Sequence, residues 1–321
     1  YQNAFNLHYG GEAVYHAVGH YMSFSDMHNL LSYRNTRAYN TMLINGIGQP
    51  FTTDANGYIV RMFNGDHISY ALGDASNAYC GVSNVRLWKN SFEKYHLTQS
   101  PENGFGETPL KKFRRHIFLL HPNKVVIYDE LEAKENVRWD WLLHSPVKFD
   151  IDEATSTLTT VNKEKHFSSV ARLFSEQESN ITQTDKYAAP PNEALAQRGE
   201  DFTAPWSLTA SFGSSKANRI LTIIQVEADG TYAVEISKDG NKFQCGEWTI
   251  EAELNAKRPA SLYIHNNQNK ATFSYGKRKP DINGQLYPCK EKDSSVLFDG
   301  MNGKWEIQEM GDQRVQTMGK W

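Results

Sequence analysis

The run from Tyr33 to Gln49 (Tyr-Arg-Asn-Thr-Arg-Ala-Tyr-Asn-Thr-Met-Leu-Ile-Asn-Gly-Ile-Gly-Gln) gathers side chains that can act on an acidic sugar. Arg34 and Arg37 supply cations that pair with a carboxylate. The Asn40 amide can stabilise charge that develops when the carbon beside that carboxylate loses a proton. The Tyr39 phenol can pass a proton to a departing oxygen. His16, His20, His28 and Asp54 lie in the same N-terminal stretch. Arg and Tyr also recur at strand ends for packing and hydrogen bonding alone, and composition does not choose between the two readings.

The elements that would position these groups read as strands. Asn-Gly and Asp-Gly pairs recur at 45–46, 56–57, 64–65, 103–104, 229–230, 239–240, 283–284, 299–300 and 302–303. Such pairs tolerate the positive φ of tight hairpin turns. Between them lie short β-branched and aromatic runs, such as 58–63. Runs 116–120 and 125–128 predict a hairpin about Pro122-Asn123, and runs 219–226 and 232–236 predict another. A short helical turn is expected at 192–198, after Pro190-Pro191, and no helix beyond about three turns. The expectation is an all-β chain, a large antiparallel two-sheet super-sandwich over 1–275. A small C-terminal β appendage at 276–321 is expected to pack on it, with strands at 295–298 and 304–308.

Composition narrows the partners. A net charge of −3 over 321 residues implies no broad basic face, which disfavours nucleic acid. An aromatic share of 12% argues against disorder. No apolar run reaches the roughly 18–20 residues of a membrane span. Cys80, Cys245 and Cys289 have no metal-ligand spacing; one pair could form a disulfide, and the count suits a periplasmic or a cytosolic home. The chain opens at Tyr1 without an initiator Met and reads as a fragment or processed chain, so the lack of a leader says little about location.

The Arg34–Gln49 block resembles the heparinase II/III family of polysaccharide lyases. That family shows Arg-x-Thr-x-Ala-His-Asn-Thr, an apolar strand, then Asn/Asp-Gly-x-Gly-Gln. Here the run is Arg34-Asn35-Thr36-Arg37-Ala38-Tyr39-Asn40-Thr41 and, after 42–44, Asn45-Gly46-Ile47-Gly48-Gln49. Asn3-Ala4-Phe5 with Gly10-Gly11-Glu12, the run 70–79, the hairpin 115–131 and Trp141-Leu142-Leu143-His144-Ser145 resemble further blocks in the same order. The likeness covers about 1–175 in blocks and is looser to about 275.

The resemblance implies a β-sandwich that follows an N-terminal α/α toroid, with the active site between them. It also implies a periplasmic or secreted home and an acidic polysaccharide or oligosaccharide as partner. Tyr39, Asn40 and His28 become candidate catalytic residues, and Arg34 and Arg37 candidate substrate-binding ones. The family His, which helps form a metal site or lines the cleft, is Tyr39 here. A phenol is a poor zinc ligand beside imidazole. Asp54, His96 and His116 remain as metal-ligand candidates without diagnostic spacing. His67 and His116 also read as hydrogen-bonded sheet residues, and His144 as a turn residue before Ser145-Pro146. Trp139, Trp141 and Phe149 read as one packed sheet face or as a sugar platform.

Two functional readings follow. The chain is the C-terminal part of a lyase that cleaves uronic-acid-containing polysaccharide by β-elimination, inactive in isolation because relatives carry the base in the toroid. Alternatively it is a non-catalytic carbohydrate-binding or structural module.

Overall fold

Two strands of 22 and 23 residues organise the molecule, and both of their faces are buried over much of their length. Side chains alternate across a strand, so a run buried on both faces reads as continuously apolar. The computed structural model describes residues 1–17, 23, 26–192, 203–228, 235–277, 279–291 and 293–313.

A hairpin of β1 (Leu7–Tyr9) and β2 (Glu12–Tyr15) leads to β3 (Met42–Ile44), then β4 (Tyr58–Asn64) and β5 (Ile68–Asp74). Helix α1 (Arg86–Lys94) precedes β6 (Leu110–Leu120) and the long β7 (Lys124–Ser145). Next come β8 (Asp150–Asp152), β9 (Thr157–Asn162), β10 (Phe167–Phe174), β11 (Ser179–Thr184) and the long β12 (Trp206–Ala228). Strands β3 to β12 form one antiparallel sheet of order β4-β5-β6-β7-β12-β10-β9-β8, with β3 added to β7 and β11 to β12. The second sheet holds β13 (Ile236–Asp239), β14 (Lys242–Cys245), β15 (Trp248–Ala252), β16 (Leu262–Asn266) and β17 (Thr272–Tyr275). After a small hairpin of β18 (Asp281–Ile282) and β19 (Gln285–Leu286), β20 (Ser295–Met301) and β21 (Lys304–Met310) complete that sheet.

Parity assigns the long strands to two cores. Val125, Ile127, Val137, Trp139, Trp141 and Leu143 of β7 join one core with Val14 and Tyr15 of the N-terminal hairpin. Val126 and Tyr128 face the other, between the two sheets, with Phe243, Trp248 and Phe273. Trp139, Trp141 and Phe149 are thus packed side chains, not a sugar platform.

Several local signals survive folding. Asn45-Gly46, Asn283-Gly284 and Asn302-Gly303 have positive φ at both residues, as a type I′ loop requires. The predicted hairpin about Pro122-Asn123 forms, with Leu120 opposite Lys124. Others do not carry over. Asp299-Gly300 lies inside β20, and 229–230 and 232–234 lie outside the described residues. The hairpin expected between 219–226 and 232–236 does not form at its described end. One edge of β12 is taken by β7 and the other by β10 and β11, and Ile236 pairs with Cys245 in the second sheet. The expected boundary at 275/276 falls inside that sheet, because Thr272–Tyr275 pairs with Ser295–Phe298. Of the helical turn expected at 192–198, residues 193–198 lie outside the described residues. Helix α1 was not foreseen; its nine residues are stabilised by Phe92 and Trp88 packing on Phe51. The three cysteines are free thiols, with Cys245 buried. No helix among the described residues is long and apolar enough to cross a membrane.

Asp299 joins the sheets at one end. It is fully buried and accepts from the backbone of His67 (2.9 Å), Ile68 (2.8 Å) and Gly300 (2.7 Å) and from His67 Nδ1 (2.6 Å). Asp299→Asn puts an NH2 group against these donors. We expect urea denaturation to show a loss of about 2–3 kcal/mol, within the range for hydrogen bonds to a charged group. A variant as stable as the parent would contradict that role.

Candidate functional site

The flagged loop is held by its own short-range chemistry. Asn35 caps the 3-10 turn Thr36–Ala38 by accepting from Arg37 N (3.2 Å), and its amide donates to the Asn103 carbonyl (2.9 Å). Gln49 N donates to Thr36 Oγ1 (2.7 Å), which draws the return strand against the loop. Gly48 is needed there, since a Cβ would overlap the Thr36 side chain. Strand β3 then pairs with the far half of β7, Met42 opposite Trp141 and Ile44 opposite Trp139.

A buried ion pair fixes the loop's end. Arg115 makes two hydrogen bonds to Asp129, at 2.7 and 2.8 Å, and both side chains are almost wholly buried. Its remaining donor group reaches the carbonyls of Asn3 (2.8 Å) and Asn40 (3.0 Å). The Asn40 side chain is in turn fully buried. It donates to the Phe5 carbonyl (3.0 Å) and accepts from His144 N (2.8 Å), and its Oδ1 lies 2.9 Å from His144 Nδ1. His144 Nε2 lies 2.9 Å from the Arg37 carbonyl, so both ring nitrogens face oxygens that can only accept, and the neutral ring donates to one of the two.

His144 stands at the floor of a cavity of about 580 Å³. Arg138, Asp140 and Leu142 continue that floor along β7, and Ser207, Thr209 and Ser211 along β12. One wall is Ser32, Arg37 and Ala38, with Gly46 and Pro101; the other is Thr182–Thr184 and Lys186–Ala188. The second wall is pinned to the first. Ala189 N donates to Ser32 Oγ (3.0 Å), and the Ala189 carbonyl faces Ser32 Oγ (3.0 Å) and His28 Nδ1 (2.7 Å). Three cationic side chains, Arg37, Arg138 and Lys186, line the space with one carboxylate, Asp140.

The predicted residues divide accordingly. Arg37 lines the cavity, half-buried, and donates to the Glu102 carbonyl (3.1 Å). Asn40 is committed to protein partners and cannot offer its amide to a substrate in this arrangement. His28 lies behind the second wall, edge-on to Tyr187. Tyr39 and Arg34 are not among the lining residues. The Tyr39 ring sits 4.1 Å from that of Tyr1, and the Arg34 guanidinium lies over Trp88. Burial and the neighbouring Tyr33 push the Tyr39 phenol up to about 12, so it holds its proton at neutral pH.

The metal-ligand candidates do not converge. Asp54 is exposed beside Thr52 and Asn84, and His96 is exposed after α1. His116 is buried between the sheets, 3.0 Å from both Glu130 and Tyr70. Among the described residues no three His, Cys, Asp or Glu side chains group as a metal ion would require. The described candidates therefore do not assemble a family-type zinc site.

Sequence reasoning missed Arg138, Asp140 and Lys186, and gave His144 only a turn role. The alternation Arg138-Trp139-Asp140-Trp141 was the available signal. Two buried indoles on one face force the charged pair onto the other.

A family model described as heparinase II/III-like, C-terminal, matches residues 2–274. The chain belongs to this family. Its sandwich also resembles solved structures. A heparinase III with methylated lysines is 11% identical, with a TM-score of 0.56 over 85% of this chain and 35% of that one. Another heparinase III is 15% identical, with a TM-score of 0.55 over 85% and 35%. A mutant heparan sulfate lyase from Pedobacter heparinus is 10% identical, with a TM-score of 0.53 over 89% and 36%. At these identities the likeness shows the fold alone. The chain thus spans little more than a third of the solved chains it matches. No curated protein matches it.

Within this family member the His144 ring is a pH-linked element. Burial pushes its pKa down to about 4, against the pull of the Arg37 carbonyl. Between pH 6.5 and 4 the unfolded chain takes up a proton that the folded one refuses. Stability therefore falls with acid across that window, by about 3 kcal/mol for this group. We expect His144→Gln to flatten the difference, measured by denaturation at several pH values. An unchanged slope would mean that the ring is already charged in the fold.

Proposed function

We propose that this chain is the C-terminal part of a polysaccharide lyase that cleaves uronic-acid-containing polysaccharide by β-elimination. In such a reaction a base removes the proton beside the uronate carboxylate, and an acid protonates the departing oxygen. The observation that carries the reading is the cationic cavity bounded by the family's Arg-x-Thr-x-Ala loop, with Arg37 on its wall. A guanidinium paired with the carboxylate lowers the cost of the carbanion-like state. The solved chains of similar fold are described as heparinase III and heparan sulfate lyase. Their length supports a preceding domain in the full protein, an α/α toroid by resemblance, which would close the cleft and bring the base. The same resemblance favours a periplasmic or secreted home.

On this reading the residues take the following roles. Arg37 holds the sugar carboxylate. Asn40 positions His144 and the Arg37 carbonyl, and His28 holds the wall that carries Lys186 and Tyr187. Tyr39 and Arg34 lie outside the cavity, so the phenol serves as proton donor only to a glycan that extends from the Arg37 side over the Tyr1 side of the loop, where Arg34 adds charge.

The 321-residue chain should bind acidic oligosaccharides in a salt-dependent manner and show no turnover, followed by absorbance of the unsaturated product. Robust turnover by this chain would place the base within it. In the full-length enzyme, Tyr39→Phe should lower turnover by roughly 10²–10⁴-fold, the worth of a general acid or base, with stability nearly unchanged. Full activity in a folded Tyr39→Phe enzyme would make the phenol structural.

A further inference from the structure

We infer that Arg138 is a second anion-recognition residue of the cleft, taking a carboxylate or sulfate substituent of the bound glycan; this rests on the proposed reading of the cavity. Asp140 is 2% exposed, and each of its oxygens accepts twice. Oδ1 accepts from Arg138 Nε (2.7 Å) and Ser211 Oγ (2.7 Å), and Oδ2 from Arg138 Nη2 (2.9 Å) and Gly46 N (3.1 Å). The carboxylate is thus saturated by protein. The guanidinium it holds is not. Its side chain is 54% exposed, and among the described residues its other N–H groups have no partner.

That arrangement fits an anion site. A guanidinium presents five N–H donors in a planar fork, and two are used on Asp140. The remaining donors can grip a planar carboxylate or a sulfate oxygen pair. The bidentate bond to Asp140 fixes the fork before a ligand arrives, so little rotamer freedom is lost on binding. Arg37 stands on the wall above this floor, so the cleft holds guanidiniums from two separate elements. A chain of repeated acidic sugars presents anions at intervals and can meet both.

The double variant Arg138→Gln/Asp140→Asn tests this directly, because it removes the fork while leaving the net charge of the cleft unchanged. Titration of the 321-residue chain would use an unsulfated uronate oligosaccharide and a sulfated oligosaccharide with reduced carboxyls. We expect a loss of roughly 10- to 100-fold on at least one of them, as charge-assisted hydrogen bonds are worth. Loss on the first identifies the carboxylate as ligand, and loss on the second the sulfate. Arg138→Lys, which keeps a charge against Asp140 but not the fork, should also bind more weakly and guards against misfolding of the double variant. Wild-type binding by both variants, with loss in Arg37→Gln, would leave the cleft reading standing and reduce Arg138 to a structural partner of Asp140. No binding by the parent chain would overturn the cleft reading and this assignment together.

Discussion

The Arg115–Asp129 pair is the constraint on which the cleft depends. Two charges are taken out of water, which is costly unless every donor and acceptor is used. Here the guanidinium satisfies Asp129 and spends its remaining donor group on the carbonyls of Asn3 and Asn40. The N-terminal segment and the end of the Arg37 loop are thereby tied to one point on the sheet. Asn40 passes that constraint to His144 through its amide oxygen, and His144 returns it to the Arg37 carbonyl. The geometry of the cleft is a chain of hydrogen bonds that begins at a buried ion pair.

The neighbouring residues on the same two strands do the opposite job. His116 and Glu130 follow Arg115 and Asp129 by one residue and so face the second sheet. Glu130 is gripped by His116 (3.0 Å), Lys112 (2.9 Å) and Tyr275 (2.8 Å). Burial works to raise its pKa, but the bonds and charges of His116 and Lys112 outweigh it and hold the carboxyl well below the usual range. One pair of strands therefore carries two buried polar clusters, one anchoring the site loop and one anchoring the second sheet. The C-terminal residues add to the second anchor, with Asp312 2.7 Å from both Arg61 and Arg114.

The cleft exists because the second sheet is shorter than the first. The even-numbered face of β7 meets the second sheet at Val126 and Tyr128 and floors the cavity at Arg138, Asp140, Leu142 and His144. Strand β12 behaves alike, with Leu221 and Ile223 in the inter-sheet core and Ser207, Thr209 and Ser211 at the cavity. Irregularities in register between Phe212 and Ala217 separate the two halves. Apolar residues occupy the covered half and polar ones the open half, as burial without a partner would penalise the latter.

The sequence by itself determined the strands, several tight turns and the family, because these depend on near neighbours. Alternation fixes which residues share a face, and Asn45-Gly46 fixes a turn through local backbone sterics. The Arg-x-Thr-x-Ala block marked a loop that bounds the cavity, and its shape is local for the same reason: Thr36, Gly48 and Gln49 contact one another across a short hairpin. What only the tertiary structure decided is which side chains of that loop face the cleft. Arg37 does; Tyr39 turns to Tyr1, and Asn40 is consumed by Phe5 and His144, partners 35 and 104 residues away. The partners of Arg138, Asp140 and His144 are likewise set by sheet registers between distant segments. Sequence spacing carries no record of such registers, because they arise from the packing of two sheets rather than from any local preference.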